Sequence, residues 1–116
     1  MAGQAYDVMR AFWSLQDSRD YTKLVDLFAD DARIVDPVYG VFEGKVEIAR
    51  FMELMVKEMG ARDISFDLVE LHGDQETAWA LWVAKTPSGE RQGCGLYRVR
   101  DGKIAFYRDF MDPAAS

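Results

Sequence analysis

Two carboxylates are the residues best placed to do chemistry. Asp109 lies in the run Ala105-Phe106-Tyr107-Arg108-Asp109-Phe110-Met111, where strand alternation puts it on one face with Ala105, Tyr107 and Met111. A carboxylate held toward an apolar face loses hydration. Its pKa then rises above about 3.9 toward the range where a group can take and return a proton at neutral pH. The competing reading is an ion pair with Arg98 or Arg108, although strand neighbours such as Arg108 point to the opposite face. Asp36 directly precedes Pro37. An Asp in that setting either ties a turn through its side chain or joins a reaction, and the residues alone leave both open. If both acids face one cavity, a carboxyl pair with separated pKa values can act as base and acid.

Trp82, Tyr39, Tyr97, Tyr107 and Phe12 are the large side chains expected to wall such a cavity, with the phenols orienting a substrate carbonyl or hydroxyl. Core packing is the competing reason for their presence. The Met52, Met55 and Met59 stripe at helical spacing reads first as core and second as an adaptable hydrophobic wall, with Met55 the member assigned to the site. His72 is expected to be a solvated turn residue. Cys94 reads as a small hydrophobe, because no His or Lys is placed to lower its pKa. Cys94 and His72 together have no metal-ligand spacing, so neither a metal nor another cofactor is expected.

Composition narrows the partners. The 116 residues carry 14 Lys and Arg against 20 Asp and Glu, a net charge of −6. Without a basic run, binding to nucleic acid or to a membrane surface is not expected, since both require clustered positive charge. No segment approaches 18 apolar residues, and Met1–Arg10 lacks a basic stretch followed by an apolar one. The expectation is one soluble domain over residues 1–116, in a reducing compartment such as the cytoplasm. The chain contains no Asn.

The elements that must position these side chains follow from periodicity. Apolar residues at three- and four-residue spacing predict a helix over Ala5–Gln16, a shorter one over Asp20–Phe28 capped by Asp20 and ended by Asp30-Asp31, and a third over Lys45–Met59 stopped by Gly60. Ala32–Asp36 reads as a strand ending at Pro37, and Val38–Gly44 as a turn with a short strand. After Gly60 the period changes to two. Strands are predicted over Ile64–Leu71, Thr77–Thr86, Arg91–Arg100 and Lys103–Met111, with a two-residue hairpin at Asp101-Gly102. Pro113–Ser116 reads as a loose end.

Helices followed by an antiparallel meander mean an α+β fold. One sheet face carries Ala78, Ala80, Trp82 and Ala84 with Gly93, Gly95 and Tyr97; the other carries Trp79, Leu81, Leu96, Ile104, Phe106 and Phe110. The expectation is that helices cover the small-residue face and leave a pocket, while the bulky face takes a second copy of the chain. The converse covering, with the Ala and Gly face solvated, is the alternative.

Leu27–Gly40, with Gly44 opening a helix that contains Ile48-Ala49-Arg50-Phe51, resembles the SnoaL-like branch of the nuclear-transport-factor-2-like superfamily, which includes ketosteroid isomerases. Gly95–Ile104 with Tyr107–Asp112 is similar to the end of limonene-epoxide-hydrolase-type and SnoaL-like, polyketide-cyclase-related enzymes. The resemblance implies a cone-shaped α+β barrel, three N-terminal helices on a curved, mostly antiparallel sheet, often dimeric through that sheet. It places Asp36 where ketosteroid isomerases keep the Asp that moves the proton. It also places Phe12 and about Gly95 where they keep two oxyanion donors, and neither residue can donate. It places Asp109 where epoxide hydrolases activate water and SnoaL-like cyclases keep an acid/base Asp. The hydrolase's Arg and second acid fall on Trp82 and Ala84, and its Asn has no counterpart. The expectation is a cofactor-independent general acid/base enzyme acting on a small hydrophobic metabolite, as an isomerase, a cyclase or an epoxide-hydrolase-like enzyme. Asp109 is its principal acid/base, with Asp36. A dimeric domain that binds a small molecule without turning it over is the alternative, and a purely structural dimerisation module the third.

Overall fold

The computed structural model describes residues 3–18 and 21–112. Among the described residues three helices, α1 (Gln4–Ser18), α2 (Tyr21–Val25) and α3 (Gly44–Arg62), accompany six strands: β1 (Phe28–Asp36), β2 (Gly40–Glu43), β3 (Ser65–Gly73), β4 (Thr77–Thr86), β5 (Gly89–Arg100) and β6 (Lys103–Met111). They form one sheet in the order β2-β1-β6-β5-β4-β3, antiparallel except for the β1–β6 pair. The sheet is curved but does not close on itself, so the expected barrel is an open cone. Among the described residues no helix is long and apolar enough to cross a membrane.

The helices lie on the small-residue face. Ala78, Ala80, Trp82 and Ala84 of β4 are buried with Ala5, Met9, Phe12 and Trp13 of α1 and with Ile48, Phe51, Met52 and Met59 of α3. On the other face Trp79 stays 47% exposed and Phe110 42% exposed, which rules out the converse covering. At Gly93 the missing side chain leaves the room that the ring of Trp82, its partner on the next strand, fills. The β5–β6 hairpin turns at Asp101 (φ 53°) and Gly102 (φ 76°), the two positive φ values of a type I′ turn.

Several boundaries differ from the sequence reading, for local physical reasons. Helix α2 ends at Val25, and Phe28 begins β1 instead of closing the helix. Asp30 and Asp31, expected as a helix stop, lie in β1 at an irregular stretch between the pairs Phe28–Ile104 and Arg33–Phe106. Their charges face Lys45 (3.6 Å) and Arg100 (2.6 Å). The expected caps and tail at Asp20 and Pro113–Ser116 lie outside the described residues. Helix α3 continues through Gly60 to Arg62. It stops where Asp63 adopts the left-handed conformation (φ 53°) and its amide, with that of Ile64, closes on the Met59 carbonyl. Asp tolerates that conformation, so the glycine was not needed as the stop. His72 belongs to β3 rather than to a turn. It is exposed, bonded to Glu70 at 3.1 Å and stacked on Trp79 at 5.9 Å.

One strand irregularity changes a face. Arg98 pairs with Phe106 and Val99 with Ile104, so Ala105 is an extra residue in β6. A single extra residue reverses the side-chain alternation beyond it. Ile104, expected on the outer face, is therefore fully buried in the core.

Candidate active site

The parallel pairing of β1 with β6 brings the two acids together. Ile34 sits beside Tyr107 and Val35 beside Arg108, so Asp36, one residue further on, ends beside the position of Asp109. Pro37 stops β1 there because it cannot donate to the ladder. The Asp36 carboxylate then organises the turn: its Oδ2 accepts the amide N–H groups of Val38 and Tyr39, each at 2.9 Å. Asp36 thus ties a turn and also lines a cavity that Asp109 lines.

That cavity has a volume of about 150 Å³. Met55 and Met59 of α3, Phe66 of β3, Trp82 of β4 and Met111 of β6 form its apolar wall, with Asp109 among them. Asp36, Tyr39, Glu58, Arg62 and Arg91 supply its polar groups. An inner recess of about 40 Å³ shares Met55, Met59, Phe66, Trp82 and Asp109, and adds Phe12, Trp13 and Tyr107. Asp109 therefore stands where the two spaces meet.

Asp109 is half-buried, and its Oδ1 is enclosed without a hydrogen-bond partner. Burial in this apolar setting, with the negative charge of Asp36 second, raises its pKa from 3.8 to about 7. Hydrogen-bonding groups of Tyr107 and Trp82 directed at the carboxyl oppose the rise. The phenol of Tyr107 is pushed well above its ordinary range by burial and then by the charge of Asp109, so it stays a neutral donor. The ion-pair reading of Asp109 fails. Arg98 lies over the Phe106 ring at 5.9 Å and Arg108 over the Phe110 ring at 4.6 Å, both on the outer face.

Of the side chains expected to wall the site, Trp82, Tyr39, Tyr107, Phe12 and Met55 line these spaces. Tyr39 titrates above its usual range, chiefly through burial and then through the charge of Glu58. Phe12 packs in an aromatic cluster, 6.1 Å from Phe28 and 5.5 Å from Tyr107. Tyr97 is the exception. It is fully buried behind Tyr107, their rings 4.9 Å apart, and lines neither space. The reason is the glycine at 95: a Cβ there would overlap the Tyr97 phenol, which occupies the room a side chain would take.

Phe66, Arg62, Glu58 and Arg91 were not expected at the site. Arg91 shares the period-two face of Gly93, Gly95 and Tyr97, so alternation carried two residues back along β5 would have found it. Arg62, paired with Glu58 at 2.8 Å, required knowing that α3 passes Gly60. Phe66 packs edge-on against Trp82 at 5.4 Å. Among the described residues no three of His, Cys, Asp and Glu converge as a metal site requires.

A family model for the SnoaL-like domain matches residues 9–107. No curated protein matches the chain. Among solved structures, a candidate ketosteroid isomerase from Kribbella flavida superposes with a TM-score of 0.81 at 19% identity, covering 97% of this chain and 81% of that one. A candidate polyketide cyclase from Sinorhizobium meliloti gives 0.76 at 21% identity, covering 90% and 94%. The epoxide hydrolase/cyclase-like enzyme SalBIII, of pyran ring formation in the polyether salinomycin, gives 0.75 at 15% identity, covering 91% and 88%. At these identities the likeness is one of fold.

Proposed function

The chain belongs to the SnoaL-like family, and from that premise we propose that it is a cofactor-independent general acid/base enzyme acting on a small hydrophobic molecule. Asp109 is its principal acid/base. The observation that carries this reading is one carboxyl at the junction of two apolar spaces, beside a second carboxylate, with a pKa of about 7. A group titrating near the working pH is populated both as base and as acid, which is the condition for efficient proton transfer in either direction.

In this mechanism the ionised Asp109 takes a proton from carbon, or from water attacking a strained ring, and returns it to another carbon or to the oxygen released. The neutral Tyr107 phenol donates a hydrogen bond, and the apolar walls exclude water from the transfer. Asp36 acts through its charge: with Oδ2 already holding the turn, it keeps the proton affinity of Asp109 high. Isomerisation, cyclisation and epoxide opening all fit this arrangement. The test is a panel of cyclohexenone, for proton exchange at carbon, and cyclohexene oxide, for ring opening. Turnover of at least one is expected, with an apparent midpoint at about pH 7, and Asp109→Asn is expected to lower it by about a hundredfold or more. Unchanged turnover in that variant overturns the assignment.

The second reading is a binding domain without turnover. It draws support from Phe12, an aromatic packing residue at a position where the resemblance expects a donor. Saturable binding in both wild type and Asp109→Asn, with no turnover in either, would establish it. We also propose a homodimer through the outer sheet face, where the ladder places Trp79 beside Leu96 and Leu81 beside Cys94, with Phe110 next to Cys94. The cytoplasm is proposed as the compartment because the one cysteine, Cys94, is a free, exposed thiol.

A further inference from the structure

Arg91 lines the cavity as a cation without a carboxylate partner among the described residues. It lies on the inner face of β5, opposite Ala84, and lines the same space as Asp36 and Asp109. Its Nη2 donates to the Asp112 carbonyl at 2.7 Å, which fixes the guanidinium in place. Its Nε is enclosed and has no hydrogen-bond partner. Among the described residues no carboxylate stands within ion-pair distance of it, whereas Arg62, the other cation of this cavity, is paired with Glu58 at 2.8 Å. Enclosed, that Nε is out of a ligand's reach; what Arg91 offers the cavity is a guanidinium charge that no carboxylate of the described residues balances.

We propose that Arg91 is a carboxylate anchor: the molecule taken up by this cavity is a small apolar acid, whose ionised carboxyl group binds the guanidinium while its hydrocarbon part lies on Met55, Met59, Phe66 and Trp82. The inference rests on the reading above only in placing a ligand in the cavity. A guanidinium edge offers parallel N–H donors at the spacing of two carboxylate oxygens. The volume of about 150 Å³ is that of an apolar cavity known to accept benzene. Asp36 and Glu58 also line the space, and their charges favour a single negative charge on the ligand over a dianion such as phosphate. A substrate held at its carboxyl end presents its hydrocarbon carbons to Asp109.

The probes are phenylacetate and hexanoate, each beside its primary amide, with binding followed by calorimetry at about pH 8, where both acids are ionised. Wild type is expected to bind at least one acid about tenfold or more tightly than its amide, the size of a charge-assisted hydrogen bond. Arg91→Gln is expected to abolish that preference by weakening the acid about tenfold while leaving the amide within about twofold. Arg91→Lys should retain part of it. Equal binding of acid and amide by wild type, or an Arg91→Gln variant that weakens both alike, overturns the anchor. If no probe binds, the ligand cavity and the anchor fall together. If the acid preference is present while Asp109→Asn leaves turnover unchanged, the anchor stands and the acid/base reading falls alone.

Discussion

Replacing Asp109 by Asn substitutes a neutral group of nearly the same shape, and its effect on stability should depend on pH with a definite sign. In the folded protein the carboxyl titrates at about 7, against 3.8 for an ordinary Asp. Below about pH 4 the carboxyl is protonated in both folded and unfolded chains, and the wild type bears no ionisation penalty. Between about pH 4 and 7 the unfolded chain releases the proton while the folded one keeps it, so the unfolded state is favoured progressively. Above about 7 both are ionised and the loss is complete. A difference of this size corresponds to about 4 kcal/mol, and about 2 where solvent reaching through the cavity mouth relieves part of it. The Asn variant has no such proton to lose. Urea unfolding of both proteins at about pH 4 and about pH 8 should therefore show the variant gaining about 2–4 kcal/mol relative to wild type on going to the higher pH. A stability difference that does not change between the two pH values, or that moves in favour of wild type, would refute the picture of a carboxyl held in an apolar setting. It would remove the physical basis of the acid/base role with it.

The coupling between the two acids can be measured directly. Asp36→Asn retains an oxygen able to accept the Val38 and Tyr39 amides, so the turn persists, but it removes the negative charge beside Asp109. An NMR titration of the Asp109 carboxyl should then give a midpoint below about 7, and an unchanged midpoint would show that the two groups do not sense each other. For the outer face, sedimentation at micromolar concentration should give a dimer mass for wild type. Placing two charges on the apolar strip, as Trp79→Glu with Phe110→Glu, should give a monomer with intact far-ultraviolet dichroism; a monomeric wild type would remove the proposed interface.

Much of the site was readable because it rests on the alternation of single strands. The burial of Trp82 among Ala78, Ala80 and Ala84, and the inward placement of Tyr107 and Asp109, follow from side chains turning to opposite faces every residue. Arg91 obeys the same rule, lying two residues before Gly93 on the same face of β5. Tyr97 obeys it too, yet it lies behind the cavity: the empty position at Gly95 lets its phenol settle there, a consequence of packing between residues on the same strand face. The bulge at Ala105 marks where alternation fails, because an extra residue in a ladder is chosen by the paired strand and leaves no signature in its own neighbours.

The residue order by itself determined most of the helix and strand periods, the small and bulky faces of the sheet, the Asp101-Gly102 hairpin and the shared face of Tyr107 and Asp109. Each of these depends on interactions among residues a few positions apart. Only the tertiary structure decided that β1 lies parallel to β6, which sets Asp36 beside Asp109, and that α3 runs on to carry Arg62 to the cavity. The β1–β6 pairing joins segments roughly seventy residues apart. It is selected by the burial of Ile34, Ile104, Tyr107 and the helix faces together, a sum over the whole core that no local pattern contains.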